Sequence, residues 1–370
     1  MLRTLIRLAA AATLAVPLLA ITVSRPGTVT TIVDAKLFTA PSGEQHLHGI
    51  VRDPITGDMY VGDWNALRVG GTPWFGPYVE NQDSLRRINQ LQEVSIVSYA
   101  VAPNAMTYDT AQHRLYVVVG STSCSSGAAE PAAGPTLHGI LVLDPATGAM
   151  HTLAGGNAGT TSGEQPQVRF SGPIGIASDP ASGALFVSEA CMNRIREVDP
   201  TGNAVTLAGT GTKGFADGAR VAATFDDPHG VAYCERDRRL YVADTGNNAI
   251  RAVALDGTVT TLAGQTKAGF TDATGASAQF DRPTGVACDD AGNVYVADSG
   301  NNAVRMIAPD GVVTTIAGNG SSGNVDATGA DARFATPGDI TYDPVAHALY
   351  VIDWSTNNVR KVTLAAATLP

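Results

Sequence analysis

The chain has 370 residues, of which 40 are glycine and 20 are proline, while charged residues make up 16% and aromatic residues 6%. This composition is typical of many short strands joined by tight turns, and it excludes a protein built of long helices. The formal net charge of −10 becomes −12 without residues 1–20, and so acidic a surface repels phosphate backbones, so we expect no nucleic-acid partner.

The N-terminal segment, residues 1–23, combines two arginines with a long apolar run. Arg3 and Arg7 precede a stretch rich in leucine and alanine, a pattern typical of a secretory signal peptide. The alternative is an uncleaved membrane anchor in which residues 5–23 tether the protein to a bilayer. Both alternatives predict export, and therefore a secreted, periplasmic or cell-surface location.

The rest of the sequence repeats with a period of about 55 residues. Residues 228–264 contain four short β-type runs separated by turn residues, and residues 283–318 repeat them in the same order. A single unit of four strands cannot bury both of its apolar faces, so it must stack on neighbouring units. This pattern is typical of the blades of a β-propeller.

The two ends of the repeat region complement each other. Residues 28–34 copy a fourth-strand motif without three strands before it, whereas residues 337–362 supply three strands without a fourth. We therefore predict an all-β, six-bladed propeller over residues 28–365, with four-stranded antiparallel blades and strand 28–34 completing the C-terminal blade. Because a closed ring has no exposed sheet edge, we expect a monomer.

The repeated motifs resemble those of the NHL repeat family. They are Gly230-Val231-Ala232 in the first strand, Leu240-Tyr241-Val242-Ala243-Asp244 in the second, and Asn247-Asn248-Ala249-Ile250-Arg251 leading into the third. The resemblance covers nearly all of the chain after residue 28 and implies a six-bladed propeller, in agreement with the strand count.

Phenylalanine recurs three residues before the proline that opens a first strand. We expect these rings to be anchors buried between adjacent blades. The positions are Phe170, Phe225, Phe280 and Phe334.

An acid and an arginine recur seven residues apart in blades three to six, as in Asp244 and Arg251. Because a catalytic site needs asymmetry, repeated pairs favour charge-paired structural supports. Blade one holds the counterparts Asp63 and Arg86, separated by an insertion.

First-strand starts are expected to converge on the mouth of the central channel, the default place for a ligand site. The candidate ligand-binding residues there are His48, Asn104, His229 and Thr284, together with Asp63 and Arg86.

The equivalent positions of His48 and His229 partly resemble the peptidylglycine amidating lyases, whose repeat-equivalent histidines bind zinc. The gluconolactonase and regucalcin group shares the fold and binds a divalent metal in its channel. The first of these resemblances implies a divalent metal at His48 and His229. The alternative is that the two histidines are hydrogen-bonded channel residues and that the protein has no cofactor.

Insertions interrupt blade one and, at residues 120–135, blade two, and the sequence contains four cysteines. The insertion in blade one carries Trp74, Phe75 and Tyr78, which are candidates for partner contact, or else form a loop packed on the blade.

Cys124 and Cys191 lie in equivalent loops of adjacent blades, so they are the disulfide candidates. Cys234 and Cys288 are one position out of phase, so we expect opposite pleat faces and buried thiols, with a second disulfide as the alternative.

These observations favour an exported, non-catalytic propeller that binds a protein or a small molecule through its loop-rich face. The alternative is a divalent-metal-dependent channel enzyme of the lyase or lactonase type, with His48, His229 and Asn104 around the ion and Arg86 as electrophile.

Overall fold

The computed structural model describes residues 26–33, 44–66, 84–99, 103–120, 138–156 and 168–364. These residues form six β-sheets arranged as the blades of a propeller, as the repeat predicts. The expected leader, residues 1–23, lies outside the described ranges. Among the described residues, no helix has the length and hydrophobicity needed to cross a bilayer.

Each of the first three blades is a four-stranded antiparallel sheet. Blade 1 contains β2 (Glu44–Arg52), β3 (Met59–Ala66), β4 (Ser84–Ile88) and β5 (Val94–Tyr99). Blade 2 contains β6 (Pro103–Asp109), β7 (Arg114–Val119), β8 (His138–Leu143) and β9 (Met150–Gly156). Blade 3 contains β10 (Pro173–Ser178), β11 (Leu185–Glu189), β12 (Arg194–Val198) and β13 (Ala204–Ala208).

The last three blades repeat this order. Blade 4 contains β15 (Pro228–Cys234), β16 (Arg239–Asp244), β17 (Ala249–Ala254) and β18 (Thr258–Gly264), with the two-residue β14 (Gly218–Ala219) added at its outer edge. Blade 5 contains β19 (Pro283–Cys288), β20 (Val294–Asp298), β21 (Ala303–Ile307) and β22 (Val313–Ala317). Blade 6 contains β23 (Pro337–Asp343), β24 (Ala348–Asp353), β25 (Asn358–Thr363) and β1 (Val29–Val33).

The N-terminal strand closes the ring, as the sequence predicts. β1 runs antiparallel to β25, with Val29 opposite Val362 and Val33 opposite Val359. The first strands of neighbouring blades lie side by side around the axis, and β2 of blade 1 contacts β23 of blade 6. Blade 6 is therefore built from both ends of the described chain.

The core lies between blades, because each sheet buries one face against the next sheet. The cluster between blades 4 and 5, for example, includes Ile250, Phe280 and Val296. Phe170, Phe225, Phe280 and Phe334 are fully buried, which confirms that they are structural anchors. Burial of one such ring stabilises the fold by about 3 kcal/mol at most.

Buried arginines tie each anchor to the acidic residues. Arg305 is fully buried and contacts Asp298 at 2.7 Å and Asp272 at 2.6 Å, with its guanidinium 5.1 Å from the centre of the Phe280 ring. The same arrangement recurs around Arg251 and Arg360. The acid and arginine pairs are thus structural supports, as predicted, and in blades 4, 5 and 6 the arginine takes a second carboxylate from the inter-blade connector.

Asparagines link one blade to the next. Asn193, Asn248 and Asn302 have left-handed backbones, and the Oδ1 of each accepts a hydrogen bond from the residue before the proline of the following blade. The distance from Arg282 N to Asn248 Oδ1, for example, is 2.8 Å. These asparagines therefore suit the turn and also join adjacent sheets.

The expectation that Cys234 and Cys288 are free thiols is wrong, because they form a disulfide with Cα atoms 5.7 Å apart. The one-position offset does put them on opposite faces of equivalent sheets. In a propeller, however, each sheet packs one of its faces against the opposite face of the next sheet. The offset therefore points the two sulfurs toward each other.

The expected bridge between Cys124 and Cys191 stays a prediction. Cys191 is itself disulfide-bonded, but Cys124 lies outside the described residues.

Candidate functional site

A cavity of about 610 Å³ runs along the propeller axis and is lined by the first strands of all six blades. One end carries a ring of residues from the starts of these strands: His48, Asn104, Ile174, His229, Thr284 and Gly338. Because five residue types occur at these six positions, with histidine in blades 1 and 4, the ring is chemically asymmetric even though the backbone around it repeats.

A second ring lies four residues further along each first strand. It consists of Arg52, Tyr108, Ser178, Tyr233, Cys288 and Tyr342. Burial raises the pKa of both Tyr108 and Tyr342 to about 12, so these phenols are neutral at physiological pH. Arg52 contacts Asp343 at 2.7 Å. The far end of the cavity is therefore bordered by neutral phenols and a paired arginine.

The side chains of Asn104 and Thr284 donate hydrogen bonds to backbone carbonyl oxygens, including those of the neighbouring blade. The buried Asn104 amide donates to the carbonyl oxygens of Gly120 at 3.0 Å and Pro173 at 2.7 Å, while its Oδ1, also buried, has no hydrogen-bond partner within the described residues. The Thr284 hydroxyl donates to the Gly338 carbonyl oxygen at 2.7 Å. Because both acceptors of Asn104 are carbonyls, the orientation of its amide is fixed.

The two histidines have different surroundings. His229 Nε2 lies 3.2 Å from Asp227 Oδ1, and this contact lowers the pKa of the Asp227 carboxyl. The His48 ring lies 5.6 Å from the ring of Trp354, measured between centroids. Within the described ranges, no group of three or more His, Cys, Asp or Glu residues is placed to hold a metal ion. Metal binding by His48 and His229 stays a prediction.

Asp63 and Arg86 do not line the cavity, although both were candidates for the channel mouth. Arg86 contacts Asp63 Oδ2 at 2.6 Å and Ser84 Oγ at 3.2 Å. Second and third strands lie outside the first strand of each blade, so a pair at their turn is separated from the axis. In this geometry Arg86 belongs to the structural pairs.

The candidate interaction residues Trp74, Phe75 and Tyr78 lie outside the described residues. The strand ends that flank their segment, at Ala66 and Ser84, are at the same end of blade 1 as His48. The end of the cavity that carries the first ring is therefore the end at which this insertion joins its blade.

Asp339 and Trp354 also line the cavity, and our sequence reasoning missed both. In blade 4 the repeat glycine is Gly230, and a Cβ there would lie 2.5 Å from the carbonyl oxygen of Thr284 in blade 5. In blade 6 the same position holds Asp339. The sequence did contain a signal for Asp339, because an acid there replaces glycine at a position where close backbone contact favours glycine.

The Asp339 carboxylate bridges blades 6 and 1. It accepts hydrogen bonds from the backbone N–H groups of Ile50 and Ile340, each at 2.9 Å. No arginine, lysine or histidine among the described residues pairs with it. Desolvation raises its pKa to about 6 despite both hydrogen bonds.

The fold and the axial cavity define a six-bladed β-propeller of the NHL type. The chain belongs to the SMP-30/gluconolactonase/LRE-like family, because the model of the SMP-30/Gluconolactonase/LRE-like region matches residues 80–319, more than half of the chain. Its relatives include NHL repeat-containing protein 2 of Gallus gallus, which is 27% identical over 259 residues, 61% of this chain and 35% of that protein.

A second relative is the chloroplastic protein SUPPRESSOR OF QUENCHING 1 of Arabidopsis thaliana, 36% identical over 129 residues, 32% of this chain and 12% of that protein. A similar solved structure is a protein of unknown function from Bacteroides thetaiotaomicron, with a TM-score of 0.65 and 18% identity over 90% of this chain and 75% of that chain. This last likeness shows the fold alone. The chain spans at most about a third of the two named relatives.

Proposed function

We propose that the protein is an exported binding module, without catalytic turnover, that takes a small ligand at the loop-bearing end of its central cavity. The observation that supports this most strongly is the cavity itself. Its volume of about 610 Å³ is within the range of about 300–1,000 Å³ found for small-molecule sites. Its first ring offers five residue types from the six blades, which suits recognition of an asymmetric ligand.

The charged groups of the repeat support binding rather than catalysis. The carboxylates that recur at the ends of second strands are engaged by buried arginines, as in the Asp244–Arg251 pair at 2.6 Å. Groups held in this way stabilise the sheets and do not face the cavity. The disulfide between Cys234 and Cys288 supports export, because such bonds persist in oxidising compartments.

The proposal is tested by thermal-shift measurements on the purified protein with neutral sugars, amines and carboxylic acids as probes. Ile174→Trp should fill the mouth of the cavity and abolish the stabilisation that a bound probe gives. Val205→Trp, on an outer strand and half exposed, is the matched control and should leave it unchanged. No stabilisation by any class of probe would contradict the proposal. Turnover of δ-gluconolactone with added Ca²⁺ or Zn²⁺ would instead support the metalloenzyme.

Export is tested separately by mass spectrometry of the mature N-terminus after expression in a host that secretes proteins. A chain that stays inside the cell with residues 1–23 intact would contradict this part of the proposal.

A further inference from the structure

We propose that the ligand of the central cavity carries a protonated amine, and that Asp339 binds this charge on the side of the cavity formed by blades 6 and 1. The proposal rests on the proposed binding function and adds the chemical class of the ligand.

The first argument is the state of the Asp339 carboxylate. It is partly enclosed at the junction of blades 6 and 1, borders the cavity, and has two backbone N–H donors. Two carboxylate oxygens can accept about four hydrogen bonds, so acceptor capacity remains. A desolvated carboxylate without a cation is costly, and a ligand cation would offset that cost.

The second argument is the direction of hydrogen bonding that the carboxylate imposes. The ionised Asp339 side chain only accepts hydrogen bonds. A ligand that contacts it must therefore donate them, which a protonated amine does and a carboxylate or phosphate does not.

The third argument is the aromatic wall beside Asp339. The indole of Trp354 lies against Gly338, where a Cβ would overlap the ring. The ring of His48 contacts it from blade 1. An indole face is the most favourable aromatic surface for a cation. Gly338 therefore makes room for Trp354 immediately beside the carboxylate.

An inorganic cation fits these groups less well. Calcium needs six to eight oxygen ligands, and a catalytic zinc site needs three protein ligands. The described residues contain no group of three His, Cys, Asp or Glu placed for either ion. A cation with its own apolar body matches better, because Met106, Ile174 and Val286 also border the cavity.

The inference is tested by titrating the purified protein with phenethylamine and with its neutral analogue 2-phenylethanol, using calorimetry and tryptophan fluorescence. The amine should bind at least tenfold more tightly than the alcohol. Asp339→Asn should reduce amine affinity at least tenfold and leave alcohol affinity within twofold. Asp310→Asn removes the same charge from an exposed turn and is the matched control, which should bind the amine as the wild type does.

Asp339→Gly provides a second variant, because glycine occupies this position in blades 1, 3, 4 and 5. It should fold and should bind the amine as weakly as Asp339→Asn does. Equal binding of amine and alcohol, both abolished by Ile174→Trp, would overturn the amine inference and leave the binding module standing. Binding of neither compound at millimolar concentration, nor of any other probe class, would overturn both. Tighter binding of Ca²⁺ or Zn²⁺ than of the amine, lost in Asp339→Asn, would overturn the choice of an organic cation.

Discussion

Thr31, in the N-terminal strand, donates two hydrogen bonds to Asp326, which lies 295 residues later in the connector before blade 6. The backbone N–H contacts Oδ2 at 2.7 Å and the hydroxyl contacts Oδ1 at 3.0 Å. Asp326 also pairs with the buried Arg360 at 2.7 Å. One carboxylate thus fastens β1 to the blade that it completes.

Asp326→Ala should weaken the closure of the ring. Removing the carboxylate leaves Arg360 with one acid and Thr31 without its acceptor, and since Asp326 is 44% exposed we expect a loss of about 1–3 kcal/mol. Chemical denaturation measures the loss, and hydrogen exchange of residues 29–33 should be faster than in the wild type. Asp310→Ala, on an exposed turn, should change neither. An Asp326→Ala protein with wild-type stability and exchange would refute the closure role.

The raised pKa of Asp339 predicts how stability depends on pH. The folded-state pKa is about 6 and the ordinary value is 3.8, so between these values the folded protein holds a proton that the unfolded chain has lost. This group therefore contributes most stability below pH 4 and loses it as the pH rises toward 6. The unfolding free energy of Asp339→Asn, relative to wild type, should increase by about 1–3 kcal/mol between pH 4 and pH 7.

Other charged groups near Asp339 also influence how the unfolding free energy depends on pH. His48 and Arg52 lie on the facing strand of blade 1, and Asp343, paired with Arg52, lies on the same strand as Asp339. These groups are present in both proteins, so the difference between the two curves isolates Asp339. Parallel curves for wild type and variant would show that the carboxyl has an ordinary pKa.

The disulfide should stabilise blades 4 and 5 by restricting the unfolded chain. The two cysteines are 54 residues apart, and Cys234→Ala combined with Cys288→Ala should cost about 2–4 kcal/mol. Thermal unfolding of the double variant measures this cost. Thiol titration of the denatured, unreduced wild type should find both cysteines blocked. Two reactive thiols there, together with an unchanged melting temperature, would contradict the bridge.

Two substitutions of Asn248 distinguish the contribution of its left-handed backbone from that of its side-chain contacts with the next blade. Its backbone is left-handed, with φ 52°, and its side chain bonds Arg282 N and the Thr266 carbonyl oxygen. Asn248→Gly keeps the turn and loses the contacts, whereas Asn248→Ala loses both. We expect Ala to be less stable than Gly by about 1 kcal/mol, and both to be less stable than wild type. Equal stability of all three proteins in urea would disprove the linking role.

The architecture could be predicted because the same short strand motifs recur along the sequence, from blade to blade. The strand motif at residues 28–34 and the missing fourth strand after residue 362 together predicted the closure that β1 and β25 form. The buried role of Phe280 and its equivalents followed from their regular spacing. Each of these predictions needs only the order of strands and the rule that a sheet buries its apolar face.

The failures concern relations between blades, which the sequence of one blade does not contain. Cys234 and Cys288 were assigned to opposite faces correctly, yet the inference ignored that such faces meet in a ring. Asp63 and Arg86 were candidates for the channel mouth, and ligand binding by either residue stays a prediction, although second and third strands lie outside the first strands. Asp339 was missed because only the residue before the repeat glycine was considered as a channel residue, and not the acid that replaces this glycine in blade 6.

The composition of blade 6 has a consequence for how the chain matures. β1 is made first, but its partner β25 ends at Thr363, so more than 300 residues must leave the ribosome before the strand can be paired. Until then its hydrogen-bonding edge is open to other chains. Pairing of β1 is therefore delayed until β25 has emerged, and a factor that shields nascent strands has that whole interval in which to act on β1.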